Sequence, residues 1–177
     1  MTRHFALGLA ALASLASPIP LAAQQQTPQQ PQAPQVVTRF DDQTLRFLLQ
    51  DIQATWRYEQ VSDGSTVYRA SAEGDINFTL APRACSPEGG CTGLMVIALF
   101  QGVNAPSAAQ LDAFINQFND LHPTAKVLRS PEGTVALQTY VNAAYGVSYR
   151  NVQEQFLVFG QNISILSQAL TRFEQGG

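Results

Sequence analysis

The chain has 177 residues, of which 45% are hydrophobic and 13% are charged, and its formal net charge is -3. This length supports one domain or two very small ones and excludes a multidomain enzyme. The low charged fraction excludes a charge-driven disordered protein. The acidic balance argues against nucleic-acid binding, whose affinity comes from Lys and Arg.

Residues 1–23 have the three parts of a secretory signal peptide. A short basic segment precedes the apolar run 5–15, and the helix-breaking residues 17–20 precede the small residues 21–23. The apolar run is too short for a stable membrane anchor, and no later stretch reaches the roughly 18 apolar residues of a spanning helix. We therefore expect cleavage after Ala23, export to the periplasm or the extracellular space, and no transmembrane segment in the mature chain. A buried N-terminal helix is the alternative interpretation.

Residues 24–35 are predicted to be a disordered linker, because seven of the twelve are Gln and three are Pro. The linker would either hold the domain away from a wall or membrane or serve only efficient processing. The folded domain is expected to span residues 36–173, followed by a short tail at 174–177.

The first half of this domain is predicted to contain one helix and several strands. The helix is capped by Asp41 or Asp42 and runs to about Ala54. Strand patterns follow from residue 55 to residue 72, folded into a hairpin at Asp63-Gly64, and from residue 76 to residue 80. Residues 94–100 are apolar throughout, which predicts a central strand covered on both sides.

The second half is predicted to contain two helices and a second hairpin. Residues 104–107 supply a linker and a cap for a helix with one buried stripe, made of Leu111, Phe114, Ile115, Phe118 and Leu121. A hairpin follows over residues 125–141, and Ser148 caps a long last helix. The fold class is therefore α+β, an antiparallel sheet of about five strands with helices packed on it in the order α-β-β-β-α-β-β-α.

Cys85 and Cys91 are the two cysteines of the chain, and we expect them to form a disulfide in an oxidising compartment. Closing this seven-residue loop would contribute roughly 2 to 2.5 kcal/mol. A zinc site would need two further thiolates or imidazoles, and the mature chain offers His122 alone. We therefore expect neither a metal nor a cofactor.

No sequence motif identifies a catalytic site. The chain has no Gly-x-Ser-x-Gly elbow, no phosphate-binding loop, no dinucleotide-binding glycines and no His-Glu-x-x-His. His122 follows a predicted helix end, where it needs no chemical role, and Asp41 and Asp42 are stabilised at a helix start. We therefore expect a protein that is not an enzyme. A hydrolase with His122 as its general base is the least favoured alternative.

The last helix is more apolar around its circumference than one buried face requires, because Leu157, Val158 and Ile165 lie off its main stripe. Two interpretations are open. Either the helix is sunk deeply between the sheet and its neighbours, or these three residues form a surface for a partner or for a homodimer.

In this order of elements the chain resembles the YbjN-domain family over roughly residues 40–173. One turn departs from the family, because Tyr145-Gly146-Val147-Ser148 stands where the family often has a Gly-Gly-Val-Thr-like sequence. The matching stretches are Asp63-Gly64 through Gly74-Asp75-Ile76-Asn77-Phe78, the loop from Cys85 to Cys91 leading into Gly93-Leu94, the helix from Leu111 to Asn119, and Gly146-Val147-Ser148.

The resemblance implies an α+β fold similar to type III secretion chaperones and a role in regulation or sensory transduction, without an established catalytic residue. We expect an exported domain that binds a protein or peptide partner in an envelope regulatory or chaperone-like role. The alternative is a small-molecule-binding sensor module, with a pocket between sheet and helices lined by Trp56, Tyr58 or Tyr68.

Overall fold

The structure is a computed structural model, and it describes residues 33–62, 64–73, 76–87 and 90–176. The predicted signal peptide and most of the predicted linker lie outside these residues. The elements in chain order are β1 (Val36–Val37), α1 (Asp42–Asp51), β2 (Thr55–Gln60), β3 (Thr66–Ala72), β4 (Ile76–Cys85), β5 (Cys91–Phe100), α2 (Ala108–Leu121), β6 (Lys126–Arg129), β7 (Val135–Asn142), β8 (Val147–Ser148) and α3 (Tyr149–Glu174).

The main sheet has six strands in the order β2-β3-β4-β5-β7-β6, and every neighbouring pair is antiparallel. The short strands β1 and β8 pair with each other separately. The predicted α+β class is confirmed. The sheet has six strands where about five were expected. Each of the four strand segments predicted between α1 and α2 forms a strand, so the predicted order α-β-β-β-α-β-β-α counted one strand too few there.

Helix α1 begins as predicted and ends three residues early. The Oδ1 atom of Asp41 accepts a hydrogen bond from the N–H of Thr44 at 2.9 Å, which identifies Asp41 as the cap. Gln53 then adopts a φ of 54°, and the N–H of Ala54 reaches back to the carbonyl of Leu49 at 2.9 Å. This left-handed turn satisfies the last carbonyls and stops the helix.

The other two helices begin at the predicted serines. The hydroxyl of Ser107 accepts from the N–H of Gln110 at 3.2 Å, and that of Ser148 accepts from the N–H of Asn151 at 3.2 Å. Helix α3 extends one residue into the predicted tail, where the carboxylate of Glu174 accepts from the N–H of Asn104 at 2.8 Å.

The hydrophobic core lies between one face of the sheet and the three helices. Alternation along each strand sends every second side chain into this core and the others to the opposite face. The largest fully buried side chains are Phe40, Leu45, Leu48, Leu49, Leu80, Leu94, Leu137 and Leu166.

Two sequence predictions about burial are wrong. Strand β5 is covered on one side only: Leu94, Val96 and Ala98 are buried under the helices, whereas Leu99 on the other side is 50% exposed. Leu121 is 68% exposed rather than part of the buried stripe of α2, because it is the last helical residue.

Candidate functional site

The helices leave one face of the six-stranded sheet open among the described residues, and this open sheet face carries apolar side chains in register. Leu99 pairs with Ala136, which pairs with Leu128, so three apolar residues form a row across β5, β7 and β6. Leu99 is 50% and Leu128 38% exposed. Cross-strand neighbours on one face lie about 5 Å apart, so the row is a continuous surface.

A second apolar pair crosses the same face, where Met95 pairs with Tyr140. The hydroxyl of Tyr140 lies against the Cα of Gly93, at the place where a side chain on Gly93 would stand. Because Gly93 has no side chain, the half-exposed Tyr140 ring can reach over β5 and extend the apolar surface.

The open sheet face is also cationic. Among its described residues, four side chains are positive, Arg57, Arg69, Arg83 and Lys126, and one, Glu59, is negative. The guanidinium of Arg69 pairs with Glu59 at 3.0 Å and donates to Oγ1 of Thr79 at 2.9 Å. Because the whole chain has a formal charge of -3, this face differs in sign from the molecule as a whole.

Two of these cations lie directly opposite each other, since Arg57 pairs with Arg69 across β2 and β3. Like charges at such positions destabilise a sheet. A shallow groove of about 580 Å³ runs beside them and is lined by Thr55, Trp56, Arg57, Glu59, Arg69, Ala70, Ser71, Asn77, Phe78, Thr79, Ile97 and Leu99.

The three residues predicted as a partner surface lie on the outer half of α3. Leu157, Val158 and Ile165 are 54%, 36% and 40% exposed. The three residues do not form one row. Leu157 borders an apolar cavity, whereas Val158 and Ile165, which lie two helical turns apart, do not line that cavity. Apolar side chains exposed singly are common on protein surfaces.

Of the three aromatic residues named for a predicted ligand pocket, Tyr58 and Tyr68 contact each other. The rings of Tyr58 and Tyr68 meet edge to face at 5.9 Å, and the hydroxyl of Tyr68 donates to Oδ1 of Asp42 at 2.9 Å. Burial and the Asp42 carboxylate raise the pKa of Tyr68. Trp56 borders the groove of the open sheet face, and none of the three aromatic residues lines the cavity beside α3.

His122 has the structural role expected for a residue at a helix end. Its backbone N–H closes α2 on the carbonyl of Phe118 at 3.0 Å, and its ring stacks on the Phe118 ring at 4.3 Å. In the described part of the chain, no three His, Cys, Asp or Glu side chains are grouped so that they could hold a metal ion.

Cys85 and Cys91 are joined by a disulfide at the end of the β4–β5 hairpin, where the two residues are paired in register. The carbonyl of Cys91 also accepts from the N–H of Phe40 at 2.7 Å, which fixes the segment before α1 to the sheet. None of the helices within the described residues has the length and apolarity needed to cross a membrane.

A family profile described as "Putative bacterial sensory transduction regulator" matches residues 41–171, which is more than half of the chain. The chain belongs to the YbjN family. The resemblance seen in the sequence is thereby confirmed, and the YbjN match covers α1 to most of α3, including every strand of the open sheet face.

A solved structure with a similar fold was found. It is the crystal structure of an uncharacterized protein from Methanothermobacter thermautotrophicus, with a TM-score of 0.52 and 12% sequence identity. The superposition covers 76% of this chain and 99% of that one. This likeness concerns the fold alone. No curated protein matches the chain significantly.

The sequence did not identify the open sheet face. Residues 94–100 lack the alternation of apolar and polar residues that is typical of a strand with one solvent-facing side. The sequence therefore did not predict that Met95, Ile97 and Leu99 are less buried than their neighbours. The available signal was that Arg57, Arg69 and Arg83 lie on three neighbouring strands. Whether they share one face of the sheet can be read only once the strand register is known.

Proposed function

We propose that this chain is an exported, non-enzymatic binding module with a regulatory or chaperone-like role, and that it binds a protein or peptide partner through the open sheet face. The observation that carries this proposal is a contiguous apolar row within a cationic sheet face, in which the exposed Leu99 and Leu128 flank the partly buried Ala136. Uncovered apolar patches rimmed by charge are typical of interaction surfaces.

The positive charge of the open sheet face indicates that the partner surface is acidic. Arg57, Arg83 and Lys126 have no carboxylate among the described ion pairs. A partner surface that combines apolar residues with a surplus of carboxylates would cover the Leu99 row and relieve the repulsion between Arg57 and Arg69. A second copy of the same face would bring like charges together, which disfavours a symmetric homodimer through this surface.

Export is supported by two features. The first is the predicted signal peptide at residues 1–23, and the second is the Cys85–Cys91 disulfide, a bond that persists mainly in oxidising compartments. The family description supports regulation in general terms. The proposal therefore places the partner in the bacterial envelope or outside the cell.

Affinity capture tests this function. Residues 24–177 are immobilised through the C-terminus and exposed separately to envelope and cytoplasmic extracts of the source organism. The test variant is Leu99→Gln with Leu128→Gln on the open sheet face. The matched control is Val158→Gln with Ile165→Gln on α3, which makes the same chemical change at residues of similar exposure.

The proposal predicts an acidic envelope partner that the wild type and the α3 control retain, that the sheet-face variant loses, and that moderate salt elutes. A partner lost from the α3 control alone would move the binding surface to Val158 and Ile165. Recovery of no protein above background from either extract would contradict a partner-binding function.

A further inference from the structure

An apolar cavity of about 320 Å³ opens between the middle of α3, the end of α1 and the β3–β4 hairpin. The residues that line it are mostly apolar, and the exposed Glu73 is the one charged residue among them. The lining comprises Ile52, Ala72, Glu73, Ile76, Phe78, Phe156, Leu157, Phe159, Gly160, Gln161, Ile163 and Ser164.

Gly160 contributes no side chain to the wall of this cavity. It lies in the interior of the 26-residue α3, where Gly costs about 1 kcal/mol relative to Ala. Its backbone is not in the left-handed region, and nothing lies within 4 Å of the position that a Cβ would occupy. Neither backbone conformation nor close packing of this chain therefore requires Gly at 160. The missing side chain leaves space on the cavity wall.

The size and chemistry of the cavity define what it can hold. Its volume is about twice the ~150 Å³ of an apolar cavity that accepts benzene. The hydroxyl of Ser164 already donates a hydrogen bond to the carbonyl of Gly160 at 3.3 Å, so it does not need a hydrogen-bond acceptor from a ligand. The Glu73 carboxylate attracts a positive group and repels a negative one.

We propose that this cavity binds a small ligand with an apolar body about two aromatic rings in size and a cationic or neutral polar end next to Glu73. Ligand pockets of this kind are largely apolar, with few polar groups that set orientation. The cavity lies on the helical side of the sheet, whereas the groove lies on the open sheet face, and Phe78 is the one residue common to the two linings.

The test uses three naphthalene probes that differ only in the charge of one substituent: 1-naphthylmethylamine, 1-naphthalenemethanol and 1-naphthoate. Binding is followed by probe fluorescence and by the shift in Tm that a ligand produces by mass action. We expect the amine to bind more tightly than the alcohol, and the naphthoate to bind most weakly. In Glu73→Gln the advantage of the amine over the alcohol, about two- to fivefold for an exposed ion pair, should disappear.

The variant Gly160→Leu should fill the cavity and weaken binding of the amine at least about tenfold, as expected when a ligand loses its pocket. Gly160→Ala is the control: it adds one methyl group in open space, should not lower Tm, and should bind the amine within about threefold of wild type. Both variants should retain the captured protein partner, which separates this proposal from the proposed function.

Three results would overturn the proposal: no binding of either the amine or the alcohol at millimolar concentration, tighter binding of the naphthoate, or full affinity in Gly160→Leu. If Gly160→Leu fails to fold, Leu157→Gln at the rim and Glu73→Gln still decide the outcome. Unchanged affinities and an unchanged order of the three probes in both variants would exclude this site.

Discussion

The phenol of Tyr149, the first residue of α3, donates a 2.7 Å hydrogen bond to Oδ2 of Asp51, the last residue of α1. The side-chain amide of Gln153 donates to the same oxygen at 2.7 Å. Burial and the Asp51 carboxylate raise the pKa of Tyr149 above its ordinary value, so the phenol remains a donor into the alkaline range. Two helix ends that are distant in sequence are thereby joined next to Ile52, which lines the apolar cavity.

Removing the Tyr149 hydroxyl should weaken the contact between α1 and α3 without disturbing the core. Tyr149→Phe keeps the buried ring and is expected to lower the free energy of unfolding by about 1 kcal/mol, the usual net worth of one hydrogen bond. Urea denaturation measures the change. Tyr145→Phe, at a fully exposed tyrosine, is the control and should leave the midpoint unchanged.

The cap of α1 should make stability depend on acid pH. Burial alone would raise the pKa of Asp41, but hydrogen bonds from Thr44 and the charge of Arg39 outweigh it and hold the pKa below its ordinary 3.8. A lowered folded-state pKa stabilises the protein above the unfolded-state value, and the contribution is lost as pH falls through the folded-state value.

We expect Asp41→Ala to lower the free energy of unfolding by about 1 kcal/mol at pH 7, and Asp41→Asn, which can still cap, to change it much less. Below about pH 4 the wild type should lose its advantage over Asp41→Ala. Urea midpoints measured from pH 7 to pH 2.5 check this. A constant difference between the two proteins across that range would show that Asp41 has no lowered pKa.

The disulfide should stabilise the β4–β5 hairpin end by roughly 2 to 2.5 kcal/mol, because it closes a short loop in the unfolded chain. The variant Cys85→Ser with Cys91→Ser should show this loss in thermal or urea unfolding. Reductant should lower the stability of the wild type to that of the variant and leave the variant unchanged. Equal stability of oxidised wild type and variant would contradict the prediction.

Gly93 and Tyr140 should be energetically coupled. A Cβ at position 93 would meet the Tyr140 hydroxyl, so Gly93→Ala must displace the ring from the open sheet face. We expect a cost of about 1 kcal/mol in the wild-type background and none in Tyr140→Ala, because a half-exposed ring can move away. Additive effects in the double-mutant cycle would show that the ring does not depend on Gly93.

Local signals predicted most of the fold. Asp41, Ser107 and Ser148 each accept the expected capping hydrogen bond, and the apolar periodicity of α3 matches its buried face. The early end of α1 was missed because Gln53 adopts a left-handed backbone conformation, which a glutamine in the sequence does not predict. The pair β1 and β8 was missed because two-residue strands carry no periodic pattern.

The candidate sites were less predictable, since they depend on which face of the sheet the helices cover. The sequence singled out Leu157, Val158 and Ile165 from helical spacing, and the structure places the first at a cavity and the other two away from it. The row from Leu99 to Leu128 joins residues that lie 29 positions apart in the chain. Such a surface exists only after strand register is fixed.

The most direct test of the central claim is methyl NMR of the labelled protein, residues 24–177, titrated with the captured partner. Ile, Leu and Val methyl signals report each surface separately in one experiment. We predict that the signals of Ile97, Leu99 and Leu128 shift or broaden on binding, while those of Val158 and Ile165 remain unchanged. Perturbation of Val158 and Ile165 with an unaffected open sheet face would contradict the account.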